Sequence, residues 1–201
     1  MAKPSLPGAK RRGRPPQNPW VTALSLAQTV SDQYALTEAE QSLAFKTALV
    51  LRRGAIIVEL GVMYGRTAII LASAAKLTGA HYHGIDNFKM GSSLAEVEAN
   101  LTKLDLQGQI HRGDTYTIRW SKPIDYLLID AGHDEMNMRQ DTARWLPLIN
   151  PGGLVLFHAY NPDIDFTDPH FPVKRYADER TLGWTQIAYI PNLLIKQKPL
   201  T

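Results

Sequence analysis

Val58-Glu59-Leu60-Gly61-Val62-Met63-Tyr64-Gly65-Arg66-Thr67 decides the fold of this 201-residue chain. It completes the apolar run Ala55 to Val62, rich in Ile and Val, as a parallel strand buried on both faces requires. Gly61 and Gly65 let the backbone turn tightly and approach a ligand. A helix over Arg66 to Leu77 follows and points its free N–H groups at the turn. A dinucleotide fingerprint would read Gly-x-Gly-x-x-Gly, but Met63 stands at its second glycine, where a pyrophosphate needs close backbone approach. That disfavours a nicotinamide oxidoreductase. Glu59, two residues before the first glycine, suits a cationic, amine-bearing ligand better than a pyrophosphate.

Outward from this turn the chain alternates strand and helix. Strands are expected at His81–Asp86, Gln109–Gly113, Ile124–Asp130, Leu154–His158, Trp184–Ile190 and Leu193–Lys198. Helices are expected at Glu96–Leu104, Glu135–Ile149 and Lys174–Leu182, the second closed by the turn Asn150-Pro151-Gly152-Gly153. This rhythm implies a parallel sheet with right-handed crossovers, and the closing hairpin implies an antiparallel strand at one edge. Before the first strand, residues 20–54 read as N-terminal helices. Spacing is weakly helical from Trp20 to Tyr34. A clearer helix is introduced by the capping box Thr37-Glu38-Ala39-Glu40 and stopped by Gly54. Residues 55–201 form the ligand-binding domain.

Acids recur at the ends of successive strands. Asp86 closes the second strand in Gly84-Ile85-Asp86-Asn87-Phe88 and can accept both hydroxyls of a ribose. Asp114, followed by Thr115, comes after the third strand and can accept from an adenine amino group. A single strand-end Asp is often only a turn former, but three acids at three successive strand ends point to one nucleoside-binding crevice.

This ordered set resembles the class I S-adenosylmethionine (SAM)-dependent methyltransferases from about Thr37 to Lys198. It is most similar to a small-molecule O-methyltransferase branch with Asp-x-x-His and Phe-His-Asp-Tyr strand ends. The counterparts here are Asp130-Ala131-Gly132-His133 and Phe157-His158-Ala159-Tyr160, with Asp141 to Leu156 also typical. The resemblance implies a Rossmann-like α/β fold: a mostly parallel seven-stranded sheet with an antiparallel edge strand and helices on both faces. It implies that Glu59 and Gly61 face the methionine part of SAM and that Gly65 and Thr67 shape the same pocket. Asp86, with Asn87 beside it, would hold the ribose. Asp114 and Thr115 would border the adenine, and Asp130 would lie at the methyl-transfer end. Some relatives bind a divalent metal through the acid matching Asp130, and the residue matching His133 is then the general base. The pattern breaks at Ala159, where an oxygen ligand is expected. Magnesium wants several hard oxygen donors, so the metal is left open, and a softer ion held by His and Asp is an alternative to a metal-free site. His133 remains the candidate base, because an imidazole titrates near neutral pH. His158 reads as a packed strand-end histidine, and Tyr160 to Pro172 reads as an acidic loop near the acceptor.

Composition bounds the rest. Cysteine is absent, which removes disulfides and zinc–thiolate sites, and 44% hydrophobic residues suffice for a sizeable core. No apolar run approaches the roughly 20 residues of a membrane span. A cytoplasmic protein is therefore expected; the resemblance implies a small-molecule acceptor, and a homodimer is left open. Residues 1–19 carry Lys3, Lys10, Arg11, Arg12 and Arg14 with five prolines and no acid. The net charge of +3 therefore reports on a basic Pro/Gly-rich arm, expected to be disordered, and the remainder is slightly acidic. Arg12-Gly13-Arg14-Pro15 is similar to the core of an AT-hook, so residues 10–15 are candidates for DNA or nonspecific polyanion contact. An alternative function is a catalytically weakened SAM-binding module docked by that arm.

Overall fold

The structure, a computed structural model, describes residues 18–201. The proposed contact at residues 10–15 lies outside the described residues. Six helices are described: α1 (Pro19–Ala27), α2 (Glu38–Ala48), α3 (Arg66–Thr78), α4 (Leu94–Lys103), α5 (Glu135–Trp145) and α6 (Phe171–Arg180). The strands are β1 (Ile56–Leu60), β2 (His81–Asp86), β3 (Gln109–Arg112), β4 (Ile124–Ile129), β5 (Ile149–Tyr160), β6 (Thr185–Ile190) and β7 (Asn192–Gln197). They form one seven-stranded sheet in the order β3-β2-β1-β4-β5-β7-β6. β1 to β5 are parallel, and β7 runs antiparallel between β5 and β6. This is the Rossmann-like methyltransferase fold. The antiparallel strand sits one in from the rim, because β6 folds back beyond it.

Local chemistry accounts for most element ends. Asn18 caps α1 through its side chain, with Pro19 in the first turn, so this helix begins inside the expected arm boundary. The Thr37–Glu40 capping box forms at α2. Ser93 caps α4 and Asp134 caps α5. The expected helix from Glu135 to Ile149 stops at Trp145, where Pro147 turns the chain into a short 3₁₀ segment over Leu146–Leu148. The Asn150–Gly153 turn is absorbed into β5 as an irregularity in its pairing with β4.

Both faces of the sheet are covered. α1 to α4 close one face over Ile57, Tyr126, Leu128 and Leu156. α5 and α6 close the other over Val58, Leu127, Val155 and Phe157. The alternation along each strand is the period of two that a doubly covered sheet imposes. The N-terminal helices are bolted to this core: the Tyr126 hydroxyl donates to the Ala44 carbonyl of α2 at 2.9 Å, and Phe45 and Ala48 are buried. No helix among the described residues is long and apolar enough to cross a membrane.

His83 on β2 is 3% exposed, its Nδ1 3.2 Å from His111 Nε2 on β3, with Trp120 edge-on to both rings. Burial, aided by His111 and Lys122, holds the His83 pKa down to about 4. An unfolded histidine protonates near 6.5. Above that pH both states are neutral there, and acidification from 6.5 toward 4 protonates the unfolded chain alone. Stability should therefore fall across that window, by about 3 kcal/mol from this group when the drop is complete. Denaturant midpoints at pH 7 and 4.5 should differ less in His83→Gln than in the parent chain. An unchanged difference would remove His83 from the account.

Candidate functional site

The strand order reverses between β1 and β4, the switch point at which open α/β sheets bind ligands. A cleft of about 690 Å³ opens there. Glu59, Gly61 and Thr67 line it from β1 and the start of α3; Asp86 and Asn87 from the tip of β2; Asp114 and Thr115 from beyond β3; Asp130 and His133 from beyond β4. Every expected site residue except Gly65 reaches this one hollow. Gly65 stands behind it: at φ 89° it caps α3, and a Cβ there would press on the Val97 side chain. Its work is to turn the chain and admit α4.

Gly61 is required by its neighbours. It adopts φ 88°, its N–H donates to the Ile85 carbonyl at 2.9 Å, and a Cβ would overlap the Asp130 carbonyl. Asp86 then holds the turn open. Its Oδ2 accepts from the Val62 and Met63 amides at 2.9 Å each, and its Oδ1 accepts from the Phe88 amide at 2.6 Å. Asp86 is thus a brace for the glycine turn, and only its less occupied Oδ1 retains accepting capacity for a ribose hydroxyl. Asp114 Oδ1 accepts from Asn87 Nδ2 at 2.8 Å, and Lys89 pairs with the same carboxylate at 3.2 Å. These bonds keep its pKa below the usual carboxylate value. The Thr115 hydroxyl donates to buried Asp141, whose pKa burial raises to about 6, and Trp145 Nε1 donates to the Thr115 carbonyl at 3.1 Å.

Glu59 is fully buried. Tyr82 donates its hydroxyl to Oε2, while Oε1 has no partner. Burial pushes its pKa well up; the Tyr82 bond opposes that, and the nearby charges of Asp130, Asp86 and Asp32 add to it. At the far end of the cleft, Asp130 Oδ1 lies 2.5 Å from His158 Nδ1 and 3.7 Å from His133 Nε2. The His170 ring sits 5.7 Å from that of His133. Burial lowers the His133 pKa to about 4, and the charges of His158 and His170 act in the same direction. For His158, burial pulls down, but the hydrogen bond and charge of Asp130 outweigh it and the pKa rises. The sequence reading of His158 as a packed strand-end residue is corrected by its place in the cleft wall against Asp130. At Ala159 (φ 60°) the β5–β7 pairing shifts register, and His158 and Ala159 both face the cleft instead of alternating. Asp32, Tyr34 and His170 also line the cleft; His170 lies in the loop expected near the acceptor, whereas local sequence patterns carried no signal for Asp32 and Tyr34.

The family described as a methyltransferase domain matches residues 58–160. The chain belongs to that family. Solved structures share the fold at low identity. The O-methyltransferase TomG from Streptomyces achromogenes, in complex with SAM, is 18% identical with TM-score 0.65 over 92% of this chain and 91% of that one. An O-methyltransferase from Bacillus cereus in complex with SAH is 17% identical, TM-score 0.63, over 92% and 93%. A putative rRNA-methylase from Clostridium thermocellum is 15% identical, TM-score 0.62, over 81% and 96%. This methyltransferase is of class I, whose cofactor is SAM, and its cleft fits a cationic nucleoside: strand-tip carboxylates, one with a buried oxygen lacking a partner. The metal used by some relatives fits less well. Asp130, His133 and His158 offer ligand atoms within 4.8 Å of one another, but they supply one carboxylate and two imidazoles, and Ala159 supplies no oxygen. That donor set does not suit magnesium, and its nitrogen content suits a borderline transition metal instead.

Gly61→Ala should cost several kcal/mol or prevent folding, because a Cβ meets backbone that cannot yield and the φ is strained; thermal melts would show this. Asp86→Ala frees the amides of Val62 and Met63 and should weaken SAM at least about tenfold by calorimetry. Parental affinity in that variant would reject the brace.

Proposed function

We propose that this methyltransferase methylates a hydroxyl of a small molecule, with the acceptor oxygen set against the Asp130–His133–His158 cluster. The observation that carries this reading is the His133 ring, whose Nε2 is buried in the cleft wall without a hydrogen-bond partner. SAM supplies an electrophilic methyl group on a sulfonium, and its neutral thioether is the leaving group. Positioning then does much of the work. Glu59, Asp86 and Asp114 span the cleft and would fix the cofactor along it. His133, neutral at working pH, would take the hydroxyl proton. Hydroxyl acceptors are also what the two similar O-methyltransferases suggest by analogy of fold.

A second assignment of the base is favoured by the 2.5 Å Asp130–His158 contact. A carboxylate on Nδ1 fixes the tautomer and leaves Nε2 as the acceptor, as in a Ser-His-Asp triad.

The two bases leave opposite pH signatures. A base works only when deprotonated. With His133, whose pKa lies near 4, kcat/KM should stay flat as pH falls to about 5. With His158, whose pKa is raised, the rate should already decline on acidification through neutrality. His133→Ala should lower kcat about a hundredfold or more with SAM binding preserved. A flat profile together with full activity in His133→Ala would reject that assignment.

A further inference from the structure

The cleft holds more negative charge than the cofactor's nucleoside half explains. Asp32, on the segment between α1 and α2, is 9% exposed and lines the cleft with Glu59 and Asp130. Its charge is felt by both of them, and Glu40 of α2, 1% exposed, adds to the field at Asp130. Among the described residues, no ion pair neutralises Asp32, Glu59 or Glu40. Lys89, the one lysine or arginine lining the cleft among them, is spent on Asp114. Glu59 Oε1, wholly buried, has no hydrogen-bond donor, and neither has Glu40 Oε1. Buried carboxylates without a counter-charge are costly, so Asp32 and Glu59, which both line the hollow, select a cation with N–H donors.

Asp32 is held where such a cation would arrive. Its Oδ1 accepts the Tyr34 amide at 3.0 Å, which fixes the carboxylate in a turn. On either side the segment is pinned by buried Val30 and Leu36, and Gln41 Nε2 donates to the Leu36 carbonyl at 2.6 Å. The segment therefore belongs to the wall of the cleft, although it lies outside residues 58–160 of the family match.

We propose that Asp32 binds the α-ammonium group of the cofactor's methionine end, with the unpartnered oxygen of Glu59 as a second acceptor beneath it. The inference rests on the SAM reading above and adds a binding residue contributed by the N-terminal helices. An ammonium group offers three donors, enough for both carboxylates. The carboxylate on the same carbon would turn away from these acids toward the free amides at the start of α3, where Thr67 lines the cleft.

The test compares two ligands on two proteins by calorimetry. SAM carries the amino-acid end, whereas 5′-methylthioadenosine keeps the nucleoside and thioether and lacks it. Asp32→Asn is nearly isosteric and still accepts the Tyr34 amide. The expected result is a loss of SAM affinity of about tenfold or more, with methylthioadenosine affinity changed less than about twofold. Unchanged SAM affinity would overturn the role of Asp32, and so would an equal loss of both ligands, which marks a merely structural residue. If the parent chain binds neither ligand, the SAM reading itself falls.

Discussion

The contact on which the site depends is the passage of Gly61 against the Asp130 carbonyl. At this point β1 ends, and β2 and β4 lie on either side of it. The Gly61 amide is bonded to Ile85 and the Asp130 amide to Leu60, so two neighbouring strands converge on adjacent residues at the end of β1. Only a glycine can have its Cα so close to backbone while adopting φ 88°. This crowding brings Asp86 and Asp130, from strands on opposite sides of β1, into the same hollow. Asp86 then grips the amides of Val62 and Met63, and Met63 is held at φ 51°, an unfavourable region for its side chain. Phe88 and Ala159 adopt similar conformations at the tips of β2 and β5. Strain gathered at three strand ends around one cleft is the usual mark of a site held in shape by its surroundings.

Electrostatics divides the cleft into two ends. Toward Asp114 the charges are balanced: Asn87 and Lys89 satisfy the carboxylate. Toward Asp130 they are not. Glu59 lies deep with one oxygen unmatched, and the histidines there respond to the same burial in opposite directions. His133 has no carboxylate in hydrogen-bond contact and loses proton affinity, while His158 has Asp130 and gains it. Two imidazoles whose rings lie 5.6 Å apart thus differ in basicity because the hydrogen bond and charge of Asp130 act on His158. That difference, and not the mere presence of histidines, is what the proposed proton transfer at this end of the cleft rests on.

The sequence made the frame of this arrangement readable. Alternating apolar runs and helix caps fixed which residues end each strand, and strand ends are where this architecture binds ligands. Glu59, Asp86, Asp114 and Asp130 could therefore be picked out before any contact was known. Other features escaped for physical reasons. Simple alternation gave no reason for His158 and Ala159 to share a side; the shifted pairing at Ala159 brings both to the cleft. Asp86 could be seen as an acceptor, but its bonds to the turn depend on the three-dimensional approach of β1 and β2. Asp32 lies far along the chain from the residues it adjoins, and no local pattern encodes that. Pairing decided the place of β7 as well: a closing hairpin can add to a sheet with either strand outermost, and here β7 goes inside because Leu193, Leu194 and Ile195 are apolar on both faces.

The N-terminal helices follow from the same balance. Burial and the neighbouring carboxylates raise the proton affinity of Glu59, and this cost must be offset by packing elsewhere. α1 and α2 supply it through Ala23, Ala27, Ala44, Phe45 and Ala48, all nearly inaccessible, and through the Tyr126 hydroxyl that reaches from β4 into α2. Small alanines at these positions let the two helices lie close on α3. Close packing of this kind cannot slide by fractions of a turn, so it fixes the segment between the helices relative to the strand tips. A carboxylate placed on that segment is therefore held as firmly as one on the sheet, and the wall of the cleft extends beyond the strands that define the fold.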